Sequence, residues 1–322
     1  MRIEVSRDVF ALSRAFTISR GSRMAAEVVT VRVVDGAHEG WGECVPYARY
    51  DETLDSVVAQ IKGLPNGLTR QALQELLPAG AARNAVDCAL WDLEAKQAGQ
   101  RAWELAGLDQ LKAEVTAFTL SLGAPEVMQA QAAEHAHRPL LKTKLGGGAE
   151  DIARIKAVRA GAPGARIIVD ANEGWTPELY AQMAPVLVDL GVEMVEQPLP
   201  AGDDDALADI NRVLPVCADE SCHDRQTLPR LRGKYDMVNI KLDKAGGLTE
   251  ALAMRAAALD EGYDVMVGCM VGSSLAMAPA TILAQSAAVV DLDGPLLLAE
   301  DREMPLTYDA AGVHPPNPAL WG

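Results

Sequence analysis

Eight short apolar runs recur through the last two thirds of the chain, and this repeat restricts the fold more than any other feature. The runs are VTAFTL (115–120), LLKTKL (140–145), RIIVDAN (166–172), VEMVEQP (192–198), PVCADE (215–220), MVNIKLD (237–243), DVMVGCM (264–270) and AVVDLDGP (288–295). Stretches of helical period, such as AEDIARIKAVRAG (149–161) and TPELYAQMAPVLVDLG (176–191), lie between them. Strand and helix therefore alternate about every 25 residues, with about seven helices among the strands. Such alternation requires parallel strands, which leaves a closed (β/α)8-type barrel or an open doubly wound sheet. Charged residues decide between them. Lys144, Asp170, Glu196, Asp219, Lys241 and Asp291 end six runs at matching positions. An open sheet gathers functional residues at one switch point, whereas a barrel brings every strand end to one mouth. The class is α/β and the architecture a barrel.

The run LLKTKL sharpens this reading, because Lys142 and Lys144 stand two apart and share one face of a strand. Two ammonium groups on a buried face repel and are costly to desolvate, unless that face opens on a site. Asp170, Glu196 and Asp219 end three consecutive strands, and three carboxylates brought together need a cation between them. Hard oxygen donors suit Mg²⁺. Lys241, ending the next strand, flanks the trio from the other side. A lysine acts as a base near neutral pH only when its pKa is lowered, so Lys142 is expected to lower that of Lys144 and to contact a substrate carboxylate. Asp291 and Asp293 also share a face; a second acidic pair suits a cation carried by the ligand, such as an ammonium.

Other motifs carry less. His38, His135, His137, His223 and His314 end no strand, and HAH (135–137) reads as a solvated helix end. The glycines 146–148 lack the Lys-Ser/Thr of a phosphate loop and read as a loop giving backbone access beside the site. GSS (272–274) is too short to mark a nucleophile. Cys44, Cys88, Cys217, Cys222 and Cys269 are an odd, scattered set, expected to be reduced thiols in a cytoplasm. The net charge of −16 argues against nucleic acid or an anionic membrane as partner, and the N-terminus lacks the apolar core of a signal peptide. The uncharged stretch 265–290 is broken by glycines, serines and Pro279, as suits a globule rather than a membrane span. Near the start, VVTVRVVDG (28–36) and EGWGECVPY (39–47) form a hairpin around Asp35-Gly36. Residues 68–80 and 81–99 follow with helical period, ending at Gly99.

Lys-x-Lys, then Asp, Glu and Asp on successive strands, then Lys, resembles the enolase superfamily, muconate-lactonizing subgroup. ISRGSR (18–23), GWGECVPYARY (40–50), LPAGAARNAVDCALWDLEAK (77–96), VDANEGW (169–175), EQPLP (196–200), CADESCH (217–223), MVNIKLDKAGGLTEAL (237–252) and DLDGP (291–295) are similar to the dipeptide epimerases of that subgroup. The resemblance implies a (β/α)7β modified TIM barrel over residues 106–301. It adds an N-terminal α+β capping domain of residues 1–105, completed by the tail 302–322. It implies one Mg²⁺ per subunit on Asp170, Glu196 and Asp219, with Lys144 and Lys241 as the acid/base pair. Lys142, Arg23, Asp291 and Asp293 would bind substrate, Arg23 taking a glutamate side-chain carboxylate and Arg20 being the weaker candidate. The implied activity is epimerisation of L-Ala-D/L-Glu by 1,1-proton transfer through an enediolate, in cytoplasmic murein peptide metabolism (peptidoglycan recycling). A lysine base with Mg²⁺ stabilising an ene-diolate is general chemistry of this superfamily. The small-molecule dipeptide is the expected partner, and a homo-oligomer stays open. Rival readings are an o-succinylbenzoate synthase or cycloisomerase, whose substrates carry no ammonium for Asp291 and Asp293, and a non-catalytic metal-dependent binder of small peptides or acids.

Overall fold

Alternating valines build the first layer. In β2 (Gly21–Asp35), Val29, Val31 and Val33 share one fully buried face, the period of two that a half-buried strand requires. The computed structural model describes residues 1–322. β2 lies between β1 (Arg2–Ile18) and β3 (His38–Cys44) in an antiparallel sheet. Gly36 turns the β2–β3 hairpin at φ +61°, as the Asp-Gly signal predicts. β1 has no counterpart in the sequence reading, because only Leu12 of its 17 residues is buried. Its register with β2 also breaks between Ala11 and Phe16.

Helices α1 (Leu54–Lys62) and α2 (Arg70–Leu76) precede α3 (Ala81–Ala98), which packs Ala82, Ala85, Ala89 and Leu93 against the valines. Gly99 ends α3 at φ +64°. Two glycines of β3 permit the approach: a Cβ at Gly40 would lie 2.0 Å from Ala89 O, and one at Gly42 2.1 Å from Ala85 O. Neither backbone can yield without separating helix from sheet. Gly42→Ala is therefore expected to destabilise the protein by about 3 kcal/mol or more. Gly164→Ala, where nothing lies within 4 Å, should stay within about 0.5 kcal/mol of wild type. Urea midpoints of the two variants check the pair.

After α4 (Ala102–Leu105) the chain enters an eight-stranded parallel barrel. Its strands are β4 (Phe118–Leu120), β5 (Leu140–Lys144), β6 (Arg166–Asp170), β7 (Val192–Glu196), β8 (Val216–Ala218), β9 (Met237–Ile240), β10 (Asp264–Gly268) and β11 (Val289–Asp291). They hydrogen-bond in sequence order, and Ala117 N donates to Val290 O at 2.8 Å, tying first strand to last. All eight predicted strands are present. The crossovers differ from expectation in two places. α5 (Pro125–Glu134), α6 (Glu150–Gly161), α7 (Pro177–Asp189), α8 (Leu242–Ala245) with α9 (Leu248–Asp260), and α10 (Ser274–Leu283) are α-helical. After β7 and β8 the chain makes only 3₁₀ turns, at Asp205–Ala208 and Arg225–Leu231. The first lies in the aspartate-rich stretch GDDDA and the second contains Pro229, which lacks a backbone donor.

One residue from each strand region forms the barrel's inner floor: Ala117, Leu140, Ile168, Met194, Cys217, Met237, Met266 and Val289. The inward residue two or four places further along is polar: Lys142 and Lys144 after Leu140, Asp170 after Ile168, Glu196 after Met194, Asp219 after Cys217, Lys241 after Met237, Asp291 after Val289. The lysines of β5 thus stand above an apolar plug, at the rim of a site. The C-terminal tail returns to the first layer, where Gly322 N donates to Asp92 at 2.7 Å and Trp321 Nε1 to Cys88 O at 3.1 Å. All five cysteines are free. No helix is long and apolar enough to cross a membrane.

Candidate active site

The strand ends open into a cavity of about 230 Å³. Lys142, Lys144, Asp219, Lys241, Asp291 and Asp293 line it from the barrel, and Arg20 and Arg23 from the β1–β2 hairpin. Asp170 and Glu196 lie buried beneath. β5 and β9 stand four places apart in a ring of eight, so Lys144 and Lys241 face each other across the mouth.

Each lysine rests on a carboxylate. Lys144 Nζ lies 2.5 Å from Asp170 Oδ2, and Lys241 Nζ 2.7 Å from Asp219 Oδ2. Lys142 Nζ is 2.8 Å from Asp291 Oδ2, 3.3 Å from Asp170 Oδ2 and 2.5 Å from Glu196 Oε2. The last contact is an ion pair without hydrogen-bond alignment. Three carboxylates surround Lys142 and, against the opposing effect of burial, hold its pKa well above the ordinary lysine value.

The carboxylates differ. Burial pushes Asp170 up, but Lys144 and Lys142 prevail and hold it at about 2. Burial likewise opposes ionisation of Asp219, yet Lys241 and Lys244 hold it well below the usual range. Glu196 is pushed up to about 7 by burial, then by Asp170. Asp293 also reaches about 7, by burial and then by the charge of Asp291. As they stand, no three acidic, histidine or cysteine side chains converge closely enough to hold an ion. The donor set nonetheless fits a hard divalent cation: Asp170, Glu196 and Asp219 supply only buried carboxylate oxygens.

Three residues of the site escape a reading of strand ends. Asn239, inward on β9, donates Nδ2 to Glu196 Oε1 at 2.7 Å. Gly268 leaves it room, since a Cβ there would lie 2.6 Å from Asn239 Oδ1. Lys244 reaches Asp219 Oδ1 and O, both at 2.6 Å. Gln197, at φ +35°, accepts at Oε1 from Asp219 N (2.9 Å) and Ser221 N (3.1 Å), fixing how β8 ends. For Asn239 and Lys244 a signal existed, because both lie beside Lys241 in NIKLDK.

Two expectations fail on geometry. The amides of Gly146, Gly147 and Gly148 do not serve the cavity; all three donate to the carboxylate of Asp151, at 2.9, 2.9 and 3.4 Å. His135 is not on a solvated face but stacks on Phe118, ring centroids 3.9 Å apart. The two arginines differ in their partners. Arg20 is consumed, donating to Asn172 O at 2.9 Å and Glu220 Oε1 at 2.7 Å. Arg23 lies over the Tyr47 ring at 5.1 Å and meets no carboxylate.

Residues 2–107 match the mandelate racemase/muconate lactonizing enzyme N-terminal domain, and residues 125–315 the enolase C-terminal domain-like model. The chain is 46% identical to the L-Ala-D/L-Glu epimerase of Escherichia coli over 97% of its own length and 99% of that protein's. It is also 46% identical to an N-acetyl-D-glutamate racemase of Pseudoalteromonas, over 92% and 95% of the two chains. A crystal structure from Agrobacterium tumefaciens superposes at a TM-score of 0.98, with 52% identity and 99% of both chains covered. That protein is an enolase family member with homology to dipeptide epimerases, holding sodium and L-Ala-L-Glu.

Proposed function

The chain belongs to the mandelate racemase/muconate lactonizing enzyme family and is an isomerase, and on that premise we propose that it is a Mg²⁺-dependent dipeptide epimerase inverting the glutamyl α-carbon of L-Ala-D/L-Glu. The observation that carries the reading is the pair of lysines, Lys144 and Lys241, on opposite walls of one cavity. Inversion requires one group to take a proton from one face of a carbon and another to return one to the opposite face. Lys144 Nζ and Lys241 Nζ fill these roles, one as neutral amine and the other as ammonium, and exchange them in the reverse direction. Asp170, Glu196 and Asp219 would hold one Mg²⁺ per subunit, which as a Lewis acid stabilises negative charge on the substrate carboxylate. Asn239, Lys244 and Gln197 support that trio from behind. Lys142 keeps its place as a carboxylate contact and spaces the trio from Asp291. In this reading, residues 1–105 with the tail 302–322 cap a barrel of residues 106–301.

The substrate's ends are assigned by charge. Asp291 and Asp293 take the dipeptide ammonium, and the unpaired Arg23 takes the glutamate side chain. An N-acetylated glutamate, the natural rival given one relative, has no ammonium to offer Asp291 and Asp293. L-Ala-D-Glu should therefore exceed N-acetyl-D-glutamate in kcat/KM by about 10²-fold or more, with Asp291→Asn narrowing the gap. Polarimetry on both compounds checks this, and equal or reversed preference would remove the dipeptide from the proposal while leaving the two-lysine chemistry.

A further inference from the structure

A second cavity, of about 250 Å³, adjoins the first and shares Phe16, Thr119 and Leu297 with it as a common wall. β1 lines it with Ser13, Arg14, Ala15 and Phe16, the stretch over which its register with β2 breaks. There Arg14 grips Glu134 through two bonds of 2.8 and 2.9 Å, so that pair is electrically closed. Arg138 is left over. Its guanidinium lies 4.5 Å from the centroid of Phe118, its buried Nε has no hydrogen-bond partner, and no carboxylate lies within ion-pairing distance. A half-buried guanidinium facing a cavity without an acceptor is costly, and burial accordingly pulls its pKa down. The charge it does feel is that of Asp293, which accepts from Thr119 N at 2.6 Å on the far side of the shared wall. The cation thus stands across the shared wall from Asp293, one of the two carboxylates assigned to the dipeptide ammonium.

We infer that this cavity is a subsite for an acidic side chain on the N-terminal residue of the dipeptide, with Arg138 as its ion-pairing partner. The inference rests on the proposed orientation of the substrate, ammonium toward Asp291 and Asp293. L-Alanine is too short to use the subsite; glutamate in its place would keep the ammonium contact and carry a carboxylate toward Arg138.

The test compares L-Glu-D-Glu with L-Gln-D-Glu, nearly the same shape with and without the charge. Both calorimetric binding and α-proton exchange are measured, on wild type, Arg138→Gln and Arg138→Lys. Wild type should favour L-Glu-D-Glu in both by about tenfold, the contribution of one charge-assisted hydrogen bond. Arg138→Gln should erase the preference while L-Ala-D-Glu turns over as in wild type, and Arg138→Lys should keep its direction. Equal binding of the two dipeptides to wild type, absent binding of both, or a preference that survives Arg138→Gln would overturn the subsite. Loss of L-Ala-D-Glu turnover in wild type, with the binding preference intact, would instead overturn the proposed function alone.

Discussion

Lys144→Ala and Lys241→Ala should each lower kcat for inversion of L-Ala-D-Glu by about 10³-fold or more. Neither variant should be inert in every respect. With one lysine removed, the other still faces one side of the α-carbon, so each variant should exchange the α-proton of one diastereomer with solvent and spare the other. The two variants should differ in which diastereomer they exchange. Charge must be separated from basicity, because Lys144 also sits on buried Asp170, and removing it disturbs that pair. Lys144→Arg keeps a cation over Asp170 but cannot lose a proton near neutral pH. It should match Lys144→Ala in proton abstraction while retaining wild-type stability toward urea. Exchange of both diastereomers at wild-type rate by Lys144→Ala would contradict the two-base scheme.

The second large effect concerns the metal. Chelation followed by desalting should abolish turnover, and added Mg²⁺ should restore it. A readout independent of activity follows from mass action: an ion bound only by the native state stabilises it by about 2.7 kcal/mol at a hundredfold excess over Kd. Melting temperature should rise with Mg²⁺ in wild type and stay flat in Asp219→Asn. Asp219 is the most informative of the three, since Lys241, Lys244 and Gln197 all converge on it. Full activity after chelation, with a melting temperature indifferent to Mg²⁺, would remove Mg²⁺ from the site.

Much of this was legible because barrel strands obey a period of two. Ile168 and Asp170, or Met194 and Glu196, are close in the chain, so the change from apolar floor to polar rim is written locally. The three carboxylates, three lysines and Asp291 emerge from that parity alone. What stayed hidden depends on partners distant in sequence. Lys244 is marked only by its nearness to Lys241, and its role shows once Asp219, 25 residues earlier, is brought against it. Lys142 could be placed at the rim, but that Asp291 lies across from it, 149 residues away, required the closed ring. β1 was invisible because a strand buried at only one of its residues shows no sustained apolar alternation, and the break in its register with β2, beside the second cavity, has no local signature. His135 looked like a solvated helix end for the same reason: Phe118, which it stacks on, belongs to another element.

Proton NMR of L-Ala-D-Glu with wild-type protein and Mg²⁺ in D₂O tests the central claim most directly. Two-lysine inversion should give loss of the glutamyl α-proton signal together with growth of the L-Ala-L-Glu resonances, the product carrying solvent deuterium at that carbon. Retention of the α-proton in a dipeptide of unchanged configuration would contradict it.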